Sequence, residues 1–174
     1  MQERYWKYLR EKRIYIYYLD EDAERSYKWD KAVKIYCAVA SSASIAGWAI
    51  WGQYSFAWAA MIAVSHVITA IYEFLPYSKR LKYLAPFIKE LKLLGNRIEY
   101  NWFGIASGKL TEEEINDLLY HLEAEFIEME NKYLKKELSL SSKKFMEKAV
   151  EKTDIYLERF YHTENDETKQ EESI

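Results

Sequence analysis

Residues 35–72 read IYCAVASSASIAGWAIWGQYSFAWAAMIAVSHVITAIY, 38 residues without one Asp, Glu, Lys or Arg in a chain of which these four make up 30%. Everywhere else the charges are evenly spread. A continuous helix of that length would measure about 57 Å, nearly twice the ~30 Å apolar layer of a bilayer. The stretch divides where Trp51-Gly52-Gln53-Tyr54 places a glycine and a polar amide between aromatics, as an interfacial turn does. Two segments remain, 35–51 and 54–72, of 17 and 19 residues, at the short end of the ~17–25 that span a membrane.

The flanks agree with that division. Lys28, Lys31 and Lys34 precede the first segment, Lys79, Arg80 and Lys82 follow the second, and the turn is uncharged. The positive-inside rule then places both termini in the cytoplasm. Aromatics are 17% of the chain, with 16 Tyr and 6 Trp, and such amphipathic rings collect where apolar and wet surfaces meet. Trp29, Trp48, Trp51, Tyr54, Trp58, Tyr72 and Tyr77 form the expected interface belt. The competing reading is an αα-hairpin buried in a helical bundle, which the many Ala and Ser of the first segment also allow.

Outward from the hairpin, every segment reads as helix. Two prolines and five glycines are too few for a many-stranded sheet protein, which needs a turn signal every ~8–12 residues. The single Cys37 excludes an internal disulfide and a CxxC zinc site, and is read as a small packing residue. A net charge of −3 supplies no global basic field for nucleic acid, and no direct sequence-specific nucleic-acid binding is expected. The predicted organisation is all-α: a charged N-terminal helix over 1–34, a two-helix transmembrane hairpin over 35–73, a cytoplasmic helical bundle over 78–162, and a disordered acidic tail over 163–174.

Within the charged parts, apolar residues recur at helical spacing. The rows are Tyr5, Leu9, Ile16, Leu19, Ala23 and Tyr27; Leu81, Leu84, Ile88, Leu91, Ile98 and Trp102; Ile115, Leu118, Leu122, Phe126, Met129 and Tyr133; and Phe145, Ala149, Tyr156 and Phe160. Residues 104–108 form a turn, Thr111 with Glu114 a capping box, and Ser141 or Ser142 caps the last helix.

Catalytic motifs are missing: there is no Walker loop, GxSxG, HExxH or kinase signature. Asp117, His121 and Glu125 share one helical face, but one helix supplies only half of a metal site, and an acidic helix produces this spacing by chance. No metal or cofactor is predicted. The polar residues that cost energy are in the apolar stretch: Ser65, His66, Thr69 and Glu73 follow one another at helical spacing on the second segment. On the first, Ala38, Ser42 and Ala46, with Gly47 beside them, form small-residue rows that let helices approach closely. Two helices cannot enclose an aqueous path, so this reading requires a homo-oligomer in contact with membrane lipid.

This layout, a charged N-terminal helix, segments at 35–51 and 54–72, and Lys79-Arg80-Leu81 leading into long helices, resembles the SLATT group of two-transmembrane effectors that accompany bacterial nucleotide-signalling anti-phage systems. It is also similar to the two-transmembrane effectors encoded beside retron reverse transcriptases. The resemblance covers roughly residues 1–162 and transfers no residue by motif. It implies a non-enzymatic defence effector that sits in the bacterial inner membrane with both termini cytoplasmic, oligomerises and permeabilises or depolarises that membrane, causing abortive infection. Its implied regulator is a sensor such as a nucleotide cyclase product or a reverse transcriptase–RNA complex. The alternative function is a non-lytic membrane anchor or scaffold that recruits a soluble partner through its cytoplasmic helices.

Overall fold

The computed structural model describes residues 1–50, 55–72, 76–134 and 142–161, with side chains throughout except at 40–50, 55, 58 and 76–80. All the described elements are α-helices: α1 Gln2–Ile50, α2 Ser55–Tyr72, α3 Pro76–Ala106, α4 Glu112–Tyr133 and α5 Lys143–Tyr161. The turn expected at 51–54 and the tail from 163 lie outside the described residues.

The chain divides into two compact units. The first, Met1–Asp22 with Leu84–Ile174, combines the start of α1 with most of α3 and with α4 and α5. Its core is a continuous apolar seam: Tyr5, Leu9, Ile16 and Leu19 from α1, Leu84, Phe87, Leu91, Leu94 and Ile98 from α3, and Ile115, Leu119, Leu122 and Met129 from α4. The spacing of three and four along each helix is what places these residues on one side. Buried rings keep a polar contact where the backbone offers one: Tyr5 Oη donates to the Ile98 carbonyl at 3.0 Å, and burial pushes the Tyr5 hydroxyl up to about 12.

Helix ends follow local chemistry. Lys109 N–H donates to the Gly104 carbonyl and Gly108 N–H to that of Ile105, the paired bonds of a Schellman closure after α3. Gly108 supplies the left-handed residue that this closure needs, with φ of +67°. Thr111 Oγ1 accepts the Glu114 N–H while Glu114 Oε2 accepts the Thr111 N–H at 2.8 Å, so the capping box starts α4. Ser142 Oγ accepts the Phe145 N–H and starts α5. Pro86 lies inside α3, ten residues past its start.

The second unit, Ala23–Tyr83, holds the rest of α1, all of α2 and the first residues of α3. Here the expected transmembrane hairpin is corrected. Among the described residues, no helix is long and apolar enough to cross a membrane. The uncharged part of α1 is the end of a 49-residue helix rich in charge, and the apolar run of α2 is interrupted by Ser65, His66 and Thr69.

Candidate functional site: an inverted helix pair

Unit 2 reverses the polarity of unit 1. Its buried residues, among the described ones, are the polar Ser26, Asp30 and Ser65, whereas Ile35, Val39, Phe56, Val64, Val67 and Ile71 are exposed, on α1 beside Glu24, Lys28 and Lys34. Phe56 is 86% exposed. At 100° per residue the large exposed side chains of α2, Phe56, Met61, Val64, Val67 and Ile71, fall within an arc of about 140°. Exposed Ala59, Ala63 and Ala70 widen it. Isolated exposed apolar residues are ordinary, but a contiguous apolar face marks a surface that is covered when the protein works.

The polar seam is assembled from both helices. Tyr72 Oη of α2 donates to Asp30 Oδ1 of α1, while Lys34 Nζ pairs with Asp30 Oδ2 at 2.8 Å. Seven residues further along α1, Thr69 Oγ1 lies 3.8 Å from Cys37 Sγ. Because 30 meets 72 and 37 meets 69, α1 and α2 run antiparallel. Lys34 and the Tyr72 hydroxyl hold the Asp30 carboxyl below the usual carboxylate range. The same contact raises the Lys34 ammonium and the Tyr72 hydroxyl. Asp30 is thus a buried anion with both oxygens engaged, which is what makes its burial tolerable.

Ser65 is buried, and its hydroxyl donates to the Ile62 carbonyl at 2.8 Å. Thr69 donates to the Ser65 carbonyl at 2.8 Å, on the side that meets α1. His66 is exposed. Glu73 lies outside the described residues, as do Trp51 and Tyr54, and so do the side chains of Ser42, Ala46, Trp48, Trp58 and Tyr77; Gly47 lies between Ala46 and Trp48 on α1. Ala38 and Trp29 are exposed, and Tyr72 is half-buried in the seam.

Asp30 was the seam residue that sequence inspection missed. Asp30 and Lys34 at i,i+4 read as an ordinary solvated pair, and nothing local announces the Tyr72 hydroxyl 42 positions away. In unit 1, Glu125 of the weighed metal triad is engaged by Arg97. Among the described residues no group of three His, Cys, Asp or Glu is placed to hold a metal.

No protein-family model matches the chain, and neither a curated protein nor a solved structure matches it.

Proposed function

We propose that the chain is a non-enzymatic effector that acts by association, and that the working surface is the apolar outside of the α1–α2 pair. The observation behind this reading is the inversion itself: polar Ser26, Asp30 and Ser65 inside, Phe56, Val64, Val67 and Ile71 outside. Water rewards the opposite arrangement, at roughly 1.5–3 kcal/mol for each large apolar side chain covered. A surrounding apolar medium rewards this one, because there the polar groups need partners and the apolar ones do not. The medium proposed is the interfacial layer of a bilayer, entered from one side by a monotopic pair and perturbed by several copies together. Anti-phage defence is the biological setting that the SLATT resemblance supplies.

The test is flotation of the full chain with anionic liposomes, together with release of an entrapped dye. The expected result is co-flotation and leakage, both lost in Val64→Asp with Val67→Asp. A chain that stays monomeric and unbound in detergent-free buffer overturns the proposal. The scaffold reading has its own observation: Leu93, Tyr100 and Phe103 stand exposed at seven- and three-residue steps on α3. Dye retention with liposomes bound would favour it.

A further inference from the structure

Helix α5 is fastened to unit 1 in a different way from α4. Along α4 four large side chains are buried, Ile115, Leu119, Leu122 and Met129. Along α5 the buried residues are Ala149, Thr153 and Leu157, and the Thr153 hydroxyl turns back to the Ala149 carbonyl of its own helix at 2.8 Å. Leu157 is the one large apolar residue among these three, and half-buried Phe145 and Tyr161 add ring contacts to Tyr18, Trp6 and Phe103. Beside these contacts α5 carries a set of ion pairs to α1. Lys148 reaches Glu21 at 2.7 Å, and Lys152 binds the other oxygen of the same carboxylate. The Arg10 guanidinium meets both oxygens of Asp154, at 2.8 and 3.2 Å. Arg13 donates to Tyr156 Oη at 3.2 Å and lies over its ring.

Arg10, Arg13 and Glu21 all belong to α1, within about three turns. Glu21 is well covered, while Lys148 and Lys152 remain 51% and 45% exposed, so solvent ions reach these pairs and screen them.

We propose that α5 is a releasable clasp: a helix whose seat on the 10–21 segment of α1 combines a small apolar contact with screenable ion pairs, and which detaches while the α1–α3–α4 core stays folded. It is a regulatory device independent of what covers the α1–α2 pair. A charged partner that competes for Glu21, or for Lys148 and Lys152, opens it and bares the flank of α1.

The test is hydrogen exchange by mass spectrometry on the full chain, at one pH, between about 0.05 M and about 1 M NaCl, where the screening length falls from above 10 Å to about 3 Å. Amides of 145–161 are expected to exchange roughly ten-fold faster at high salt, whereas those of 115–129 change less than about two-fold. Lys148→Glu with Lys152→Glu should produce the same acceleration at low salt, and adding Glu21→Lys should reverse it. Exchange of α4 and α5 in step at every salt concentration, or an α5 indifferent to salt, overturns the clasp. The wild-type salt series decides the matter alone if the reversed variant does not fold.

Discussion

Gly95 on α3 faces α1 so closely that a methyl group there would lie 2.8 Å from Ile16 Cδ1, about 1 Å inside ordinary carbon contact. Ile16 is itself 1% exposed, so its terminal methyl has little room to retreat. Two opposing effects meet in Gly95→Ala. Alanine in a helix interior is favoured over glycine by about 1 kcal/mol, while overpacking a close-packed core costs about 1–3 kcal/mol. The net expectation is a loss of about 0–2 kcal/mol. Ile16→Val, which deletes the clashing methyl, costs about 1 kcal/mol by itself. Together they should do less harm than their sum, because valine leaves the space that alanine needs and the helix preference of alanine then offsets the lost methyl. The double variant should unfold near the wild-type midpoint, a coupling of about 1–3 kcal/mol. Urea unfolding followed by far-ultraviolet circular dichroism reads this directly, with an unchanged dependence on urea certifying that the comparison is fair. Additive effects, or a Gly95→Ala variant stabilised outright by about 1 kcal/mol, would refute the reasoning.

Two further expectations concern the ion pairs. Arg13 and Glu99 are 13% and 15% exposed, with Tyr156 Oη donating to Glu99 at 3.0 Å. Arg13→Met strands a mostly buried carboxylate and should destabilise unit 1 by about 2–4 kcal/mol, with Arg13→Met plus Glu99→Leu recovering most of it in the same urea assay; a double variant no more stable than the single one contradicts this. In unit 2, Asp30 has a folded pKa below its unfolded value of 3.8. Between those two values the unfolded chain binds the proton and the folded one does not. The stabilisation is therefore fully present above about pH 4 and disappears as the pH falls through the folded value. Exchange of the 26–37 amides should accelerate in that acid range in the wild type and show no such step in Asp30→Asn, and Tyr72→Phe should weaken the pair at every pH by about 1–2 kcal/mol.

The helix ends were legible because their chemistry is local. Thr111 and Glu114 are three residues apart and cap each other whatever the rest of the chain does. Stripes were legible where one neighbour sets the buried side: Tyr5, Leu9, Ile16 and Leu19 are buried as their spacing predicts, but Tyr27, from the same row, is 58% exposed. Past Asp22 the same helix enters another unit with another neighbour. On α5 the spacing pointed to Phe145, Ala149, Tyr156 and Phe160, yet Ala149, Thr153 and Leu157 are buried and Phe160 is exposed. The arc of α5 that faces inward is the one that brings Lys148, Lys152 and Asp154 to Glu21 and Arg10, and apolar periodicity takes no account of partners on another helix.

From the sequence alone came the all-α class, the helix punctuation and the uncharged stretch at 35–72, since propensity, capping and charge spacing act over a few residues. Tertiary structure decided what that stretch forms. It showed α1 running on to Ile50 and α2 ending after 18 residues, neither long and apolar enough to cross a membrane among the described residues. It also turned Asp30 into the centre of a seam with Lys34 and Tyr72. Hydropathy counts residues along a line. Whether an apolar side chain ends up inside or outside depends on which distant hydroxyl satisfies its polar neighbours, and that is settled only when α1 and α2 meet.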